Sequence, residues 1–290
     1  MIDNGWTTVP DTFLALDPII HNVDDSPIVV LPVPYDAATS YKSGSREGPR
    51  AIIRASREME EFDLELGWSP SILGIFTSGE IEPHSGGPEA MANRVSKVIA
   101  WYLKQNKLTC MLGGDHSLTI GAVKSFALAY PELSVLFLDA HTDFADEYQG
   151  SKFNHACSIR RSIEFASGVL VGVRSMQEGD HNLLAAHNTP VFPRHDQPIV
   201  EFEEILSSLK SNVYISVDLD VFDPSIMSAV GNPEPGGMEW WEVLQILKQV
   251  CSQRNIVGFD IMELSPPEGP EACAYTAAKL AYKLMGYIKK

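Results

Sequence analysis

Cysteine is scarce in this sequence: there are four in 290 residues, Cys110, Cys157, Cys251 and Cys273, and no CxxC spacing. That excludes a disulfide-dense secreted scaffold and leaves free thiols in a reducing compartment as the expectation. Positive charge is also in deficit, with 22 Lys and Arg against 38 Asp and Glu and a formal net charge of −16. Binding to phosphate backbones needs clustered Lys and Arg, so nucleic acid is excluded as a partner and a small cationic substrate fits better. Apolar runs such as VLFLDA and KVIAWYL fall far short of the roughly 20 residues that cross a bilayer, which removes a membrane role. The opening residues MIDNGWTTVPDTFLALD carry acid where a signal peptide is basic, so a soluble cytoplasmic protein is expected. There is no internal repeat, low-complexity tract or long Pro/Gly/Ser linker, and one domain over 1–290, with an irregular leading segment over 1–26, is the economical organisation.

From Pro27 onward, short runs rich in β-branched residues alternate with longer stretches of helical periodicity. The strand-like runs begin at Ile28, Ser71, Leu108, Leu133, Val169, Thr189, Val213 and Ile256, and those containing VLFLDA and YISVDLDVF read as central. Between them lie amphipathic segments such as PEAMANRVSKVIAWYLKQN, SLTIGAVKSFALAY, VEFEEILSSLKS, EWWEVLQILKQVC and PEACAYTAAKLAYKLMGYI. The alternation predicts an α/β protein: a three-layer α/β/α sandwich around a mostly parallel sheet of about eight strands. Three irregular stretches interrupt it, before Pro27, over 144–154 and over 223–237, and two of them follow a carboxylate-rich strand end.

Those strand ends carry the chemistry. In LFLDAHTD the residues Asp139, His141 and Asp143 are spaced two apart, so a strand continuing that far would project all three to one side. SVDLD repeats the spacing with Asp218 and Asp220. In MLGGDHS, Gly113 and Gly114 permit a sharp turn that leaves Asp115 and His116 at the same edge. The carboxyl edge is where open parallel sheets place their ligand crevices. SVDLD and GGDHS alone read equally well as a loop cap or a solvated acid, and DAHTD is the stronger signal; coincidence does not explain all three on sheet edges of one chain. Four carboxylates and two imidazoles packed together without cations would repel prohibitively, so the cluster implies divalent metal. A carboxylate-rich set with a minority of His and no thiolate suits Mn²⁺, with Co²⁺, Ni²⁺, Fe²⁺ and Zn²⁺ not excluded. Two ions held roughly 3.5–4 Å apart can share a water, lower its pKa and present hydroxide to an electrophilic carbon.

The motifs GGDHS, DAHTD and SVDLDVFDP, in this order, resemble the signature motifs of the ureohydrolase family of arginases, agmatinases and guanidino-acid hydrolases. The likeness runs along nearly the whole chain, through TSYKSGSREGPRAIIRAS, GNPEPGGMEWWE and GFDIMELSPP, and its overall character is most like the agmatinases. The resemblance implies one Mn²⁺ held by His116, Asp139, Asp143 and Asp218 and a second held by Asp139, His141, Asp218 and Asp220. It implies that Glu263 in IMELSPP pairs with the substrate guanidinium, and that His155 in KFNHACSIRR shuttles protons or orients substrate. Asp143 would pass on a proton from the attacking hydroxide. A trimer or hexamer is implied as well. Without the resemblance, Glu263 reads as a capping acid and His155 as a solvated loop residue.

The tail of the substrate is less legible. The arginase-like pattern has an asparagine where this sequence has Ala145, and Asp146 and Glu147 make the loop acidic, which points to agmatine, guanidinium at one end and ammonium at the other, cleaved to putrescine and urea. Aminopropylagmatine, 4-guanidinobutyrate and arginine are the alternatives. Two further readings compete: a single-metal deacetylase of the related histone-deacetylase superfamily, which keeps fewer acidic ligands, and a non-catalytic relative, which would usually have lost some.

Overall fold

In the computed structural model, which describes residues 8–199 and 201–288, strand side chains alternate between two apolar clusters. Along β1 (Ile28–Val33), Ile28 and Val30 enter one cluster while Val29, Leu31 and Val33 enter the other. Along β4 (Leu133–Leu138), Leu136 and Leu138 go one way and Val135 and Phe137 the other. A period of two that is apolar on both faces is what a strand covered by helices on each side requires. Truncating a wholly buried ring such as Phe137 would cost about 3–5 kcal/mol.

The remaining strands are β2 (Ile75–Thr77), β3 (Leu108–Gly113), β5 (Ser167–Val171), β6 (Val191–Phe192), β7 (Asn212–Asp218) and β8 (Asn255–Met262). They form one eight-stranded sheet in the order β2-β1-β3-β8-β7-β4-β5-β6, every pairing parallel. All the strand-like runs of the sequence find a place in it. The centre is β8 and β7, with β4 flanking β7 rather than sharing the middle position.

One helical layer is α1 (Gly48–Ser56), α6 (Phe202–Ser208), α7 (Trp240–Gln253) and α8 (Glu271–Ile288), whose Ile52, Ile205, Val243 and Leu280 share a cluster. The opposite layer is α2 (Pro88–Leu103), α3 (Leu118–Ala129), α4 (Ser158–Ser162) and α5 (Asp180–Ala186), joined through Val95, Val123, Ile159 and Leu184. The expected α/β/α sandwich is the observed one. Helices α1, α4 and α5 were not distinguishable in the sequence, because nine, five and seven residues are too few for a helical period to stand out. Residues 1–7 of the leading segment lie outside the described residues. Among those described, no helix is long and apolar enough to cross a membrane.

The strand order decides where chemistry can gather. Strands β3, β8, β7 and β4 are consecutive neighbours, and their carboxyl ends lead directly into GDHS, ELSP, LDVF and DAHTD. Four segments far apart in the chain therefore open onto one stretch of sheet edge.

Candidate metal centre

Each strand end turns sharply, and a specific close contact makes each turn. After β3 the chain runs so near Tyr35 that a Cβ on Gly114 would lie 1.8 Å from the Tyr35 carbonyl oxygen. The need for glycine there is the close backbone approach; neither Gly113 nor Gly114 has a positive φ. Asp115 does not join the cluster. Its carboxylate accepts from the amides of Ala38 (2.9 Å) and Ser117 (3.1 Å), pinning the loop after β1, and burial with the nearby Glu263 charge pushes its pKa up to about 6. The turn delivers His116, wholly buried, just ahead of α3.

The DAHTD segment departs from expectation. Strand β4 stops at Leu138, so the side chains of Asp139, His141 and Asp143 are not aligned by strand alternation. Asp139 instead accepts from the amide of His141 at 2.7 Å, turning the chain back at once, and Asp143 has φ of 43°. Asp220 closes the arrangement from β7: it lies in a single 3-10 turn, its Oδ1 accepting from the amide of Ala140 (3.0 Å) and its own amide donating to Asp218 (3.0 Å). Local turns replace pleat geometry as the reason the carboxylates meet.

They meet around two imidazoles. His116 Nδ1 lies 3.1 Å from Asp139 Oδ2, 3.2 Å from Asp218 Oδ2 and 3.4 Å from Asp143 Oδ2. His141 Nδ1 lies 2.9 Å from Asp220 Oδ2 and 3.7 Å from Asp139 Oδ1. Among the described residues two groups have ligand atoms close enough to hold an ion, His116 with Asp139 and Asp218, and Asp139 with His141 and Asp220. Asp139 is common to both. Asp143 stands outside both groups, its Oδ2 accepting from Ser158 Oγ at 2.9 Å, and Asp218 belongs to the first alone.

The electrostatics of this cluster call for cations. Burial, then Asp143 and Asp220, push the Asp139 carboxyl up to about 7, and burial with Asp220 and Asp139 holds Asp218 well above the ordinary range. Burial opposes charge on His141 too, but Asp220 outweighs it and raises the ring to about 11. Protons are thus held on groups whose lone pairs converge. His116 Nδ1 and Asp139 Oδ2 are buried and, although 3.1 Å apart, make no well-aligned hydrogen bond to each other or to any other described group, a costly state unless something positive sits beside them. Imidazole and carboxylate donors with no thiolate fit a hard or borderline divalent ion.

Glu263 and His155 sit beside this cluster. Glu263 follows β8, and its Oε1 accepts from the amide of His116 at 2.8 Å and meets His155 Nδ1 at 2.9 Å. His155 is only 9% exposed, not a solvated loop residue. Burial resists its protonation, but Glu263 outweighs this and raises the pKa to about 9. The hydrogen bonding points the other way: the Ser40 amide donates to Nε2 at 2.8 Å, which requires a lone pair there. In this conformation the ring is neutral with its proton on Nδ1, because an amide N–H cannot donate to a protonated nitrogen.

A pocket opens above these residues, lined by Asp143, His155, Asp218, Asp220 and Glu263 at its chemical end and by Tyr148, Asp180, Asn232 and Glu234 elsewhere, with no lysine or arginine. The acidic loop residues expected to face the substrate do not line it. Asp146 is turned away into ion pairs with Arg161 (2.5 Å) and Lys152 (3.4 Å), and neither it nor Glu147 lines the pocket. The negative wall comes from Asp180 and Glu234 instead. Asp180 is engaged with Thr142 (2.5 Å) and the Gln177 amide (3.0 Å), whereas the Glu234 carboxylate has no hydrogen bond or ion pair among the described residues.

Sequence reasoning also passed over Arg174. Its guanidinium donates to the carbonyls of Asp220 (2.6 Å) and Glu234 (2.7 Å), clamping a strand end to the loop after it. An arginine directly after the apolar run VLVGV was the available signal.

Similarity to known proteins agrees with this geometry. The model of the arginase family matches residues 26–286. The N(1)-aminopropylagmatine ureohydrolase of Synechocystis is 37% identical, covering 98% of this chain and 96% of that protein. The agmatinase of Pyrococcus horikoshii is 34% identical over 95% of this chain and 97% of its own. Among solved structures, the proclavaminate amidino hydrolase of Streptomyces clavuligerus superposes with a TM-score of 0.88 at 28% identity, covering 97% of each chain. Motifs, strand order and overall match agree that the chain belongs to the arginase family, the ureohydrolases.

Proposed function

We propose that this chain is a binuclear manganese hydrolase that releases urea from a linear guanidine with a cationic tail. The observation that carries the reading is the pairing of two His/Asp groups through Asp139 at the foot of a pocket whose other charged wall residues are carboxylates. With no lysine or arginine on the wall, the carboxylate tails of arginine and 4-guanidinobutyrate would meet only like charge. Agmatine and N(1)-aminopropylagmatine, tailed by amines, meet opposite charge. We favour aminopropylagmatine over the agmatine expected from the sequence, because its second amine suits a second wall carboxylate and because the relatives at 37% and 38% identity carry that name.

In this proposal His116, Asp139, Asp143, His141, Asp218 and Asp220 hold two ions, manganese on the hardness of the donor set. When bound, the ions supply a water of lowered pKa and neutralise developing negative charge. The protein residues do the rest. Glu263 takes the guanidinium nitrogens by charge-assisted hydrogen bonds, oriented by its bond from the His116 amide. Asp143, on the pocket wall, accepts a proton from the attacking water. The guanidinium C–N bond to the tail then breaks, the proton taken by Asp143 passes by way of His155 to the departing amine, and urea and amine leave. Carried over from the family, a trimeric or hexameric assembly in the cytoplasm is part of the proposal, and a monomer by light scattering would remove it.

The test is urea release by the Mn²⁺-loaded protein from aminopropylagmatine, agmatine, 4-guanidinobutyrate and arginine at equal concentration. Preference for aminopropylagmatine supports the whole reading; preference for agmatine keeps the cationic tail and shortens it. Preference for arginine or guanidinobutyrate overturns the tail argument, and no urea from any overturns the function.

A further inference from the structure

Linked to His116 through one serine, and not among the residues that line the pocket, lies a carboxylate that the proposed reaction does not use. Asp260 is wholly buried in β8, with no lysine or arginine paired to it among the described residues. Its oxygens accept from three hydroxyls: Ser216 Oγ at 2.7 Å, Tyr214 OH at 2.8 Å and Thr119 Oγ1 at 2.8 Å. Ser216 stands directly across from Asp260 in the β7–β8 register, so the contact is built into the sheet. Ser216 Oγ is in turn 2.9 Å from His116 Nε2.

Counting hydrogens settles the direction of this chain of contacts. A hydroxyl has one proton, and Ser216 gives its own to Asp260. It can then only accept from His116, so Nε2 carries a ring proton. That leaves Nδ1 as the ring nitrogen facing Asp139, Asp143 and Asp218, the one whose lone pair an ion held there would take. We propose that Asp260 is a positioning residue that, through Ser216, fixes the tautomer and orientation of His116 and strengthens the ion held by His116, Asp139 and Asp218. A carboxylate behind a ligand histidine makes the ring a better donor, and losing such a partner typically costs 10–100-fold in metal affinity. The tie reaches only one of the two groups. His141 is not touched by Ser216 or Asp260, so the two ions are held unequally.

The inference rests on the two-ion reading, and the experiment separates them. Mn²⁺ is titrated into metal-free protein, following free Mn²⁺ by EPR, for the wild type, Asp260→Asn, Ser216→Ala and Ser216→Thr. The expected result is two ions in the wild type, one of them bound about 10–100-fold more weakly in D260N and S216A, the other unchanged, and recovery in S216T, which keeps the hydroxyl. Wild-type affinity at both sites in D260N and S216A, or equal weakening of both, overturns the positioning role while leaving the two-ion centre standing. Fewer than two ions in the wild type overturns the centre and this inference with it. If D260N fails to fold, the S216A and S216T pair decides. A separate readout needs no metal: ¹⁵N NMR of the His116 ring in the metal-free wild type must show Nε2 protonated, and a bare Nε2 overturns the proposal.

Discussion

His155 and Glu263 are coupled through a single atom, Glu263 Oε1, which meets His155 Nδ1 at 2.9 Å while also accepting from the His116 amide at 2.8 Å. The residue proposed to grip the guanidinium is thus held by the residue proposed to protonate the leaving group and by the backbone of a proposed metal ligand. A change at His155 should disturb chemistry without reaching the ions, since its ring touches none of the groups able to hold them.

His155→Ala is therefore expected to lower kcat by about 10²-fold or more, the usual contribution of a positioned acid or base, with metal content at the wild-type level. Turnover and metal analysis on the same preparation check this. Loss of an ion in the variant would move His155 from proton transfer to the metal centre.

Because Asp139 belongs to both groups and Asp220 to one, their loss should differ in stoichiometry. Asp139→Asn is expected to abolish tight binding of both ions, and Asp220→Asn to weaken chiefly the ion beside His141. Atomic emission after dialysis distinguishes the two. Identical losses would refute the sharing of Asp139.

The pH dependence has a definite sign. Asp139 rises from 3.8 to about 7 and His141 from 6.5 to about 11 in the folded, metal-free protein. Raised groups keep protons that the unfolded chain has already lost, so their stabilisation is full below the unfolded values and fades as pH climbs through the folded ones. Between pH 6 and 8 the metal-free protein should lose thermal stability. Ions must displace the same protons, so Mn²⁺ affinity should rise over that interval. Calorimetry with and without Mn²⁺ checks both; a metal-free Tm that rises with pH would contradict the charge state given to the cluster.

Glu234 offers the pocket's unpaired carboxylate. Glu234→Gln is expected to raise KM for an amine-tailed guanidine about tenfold, the loss of one charge-assisted contact, with kcat little changed. Steady-state kinetics on aminopropylagmatine and agmatine would show it. An unchanged KM for both would mean that the tail is read elsewhere.

The amino-acid sequence by itself determined the alternation of strand and helix, because β-branched runs and amphipathic segments are local patterns, and it exposed DAHTD, SVDLD and GDHS, because their acids and imidazoles cluster within a few residues. Glu263 and His155 were legible only through family likeness, each being a single polar residue without a local partner. The tertiary structure alone decided the rest. It placed β3, β8, β7 and β4 side by side, replaced strand alternation by tight turns at Asp139 and Asp143, and turned Asp146 away to Arg161. It also joined Ser216 to Asp260 across a strand pair, 44 residues apart in the chain. Such contacts depend on register and close packing between distant segments, and no local pattern records which hydroxyl will face which buried carboxylate.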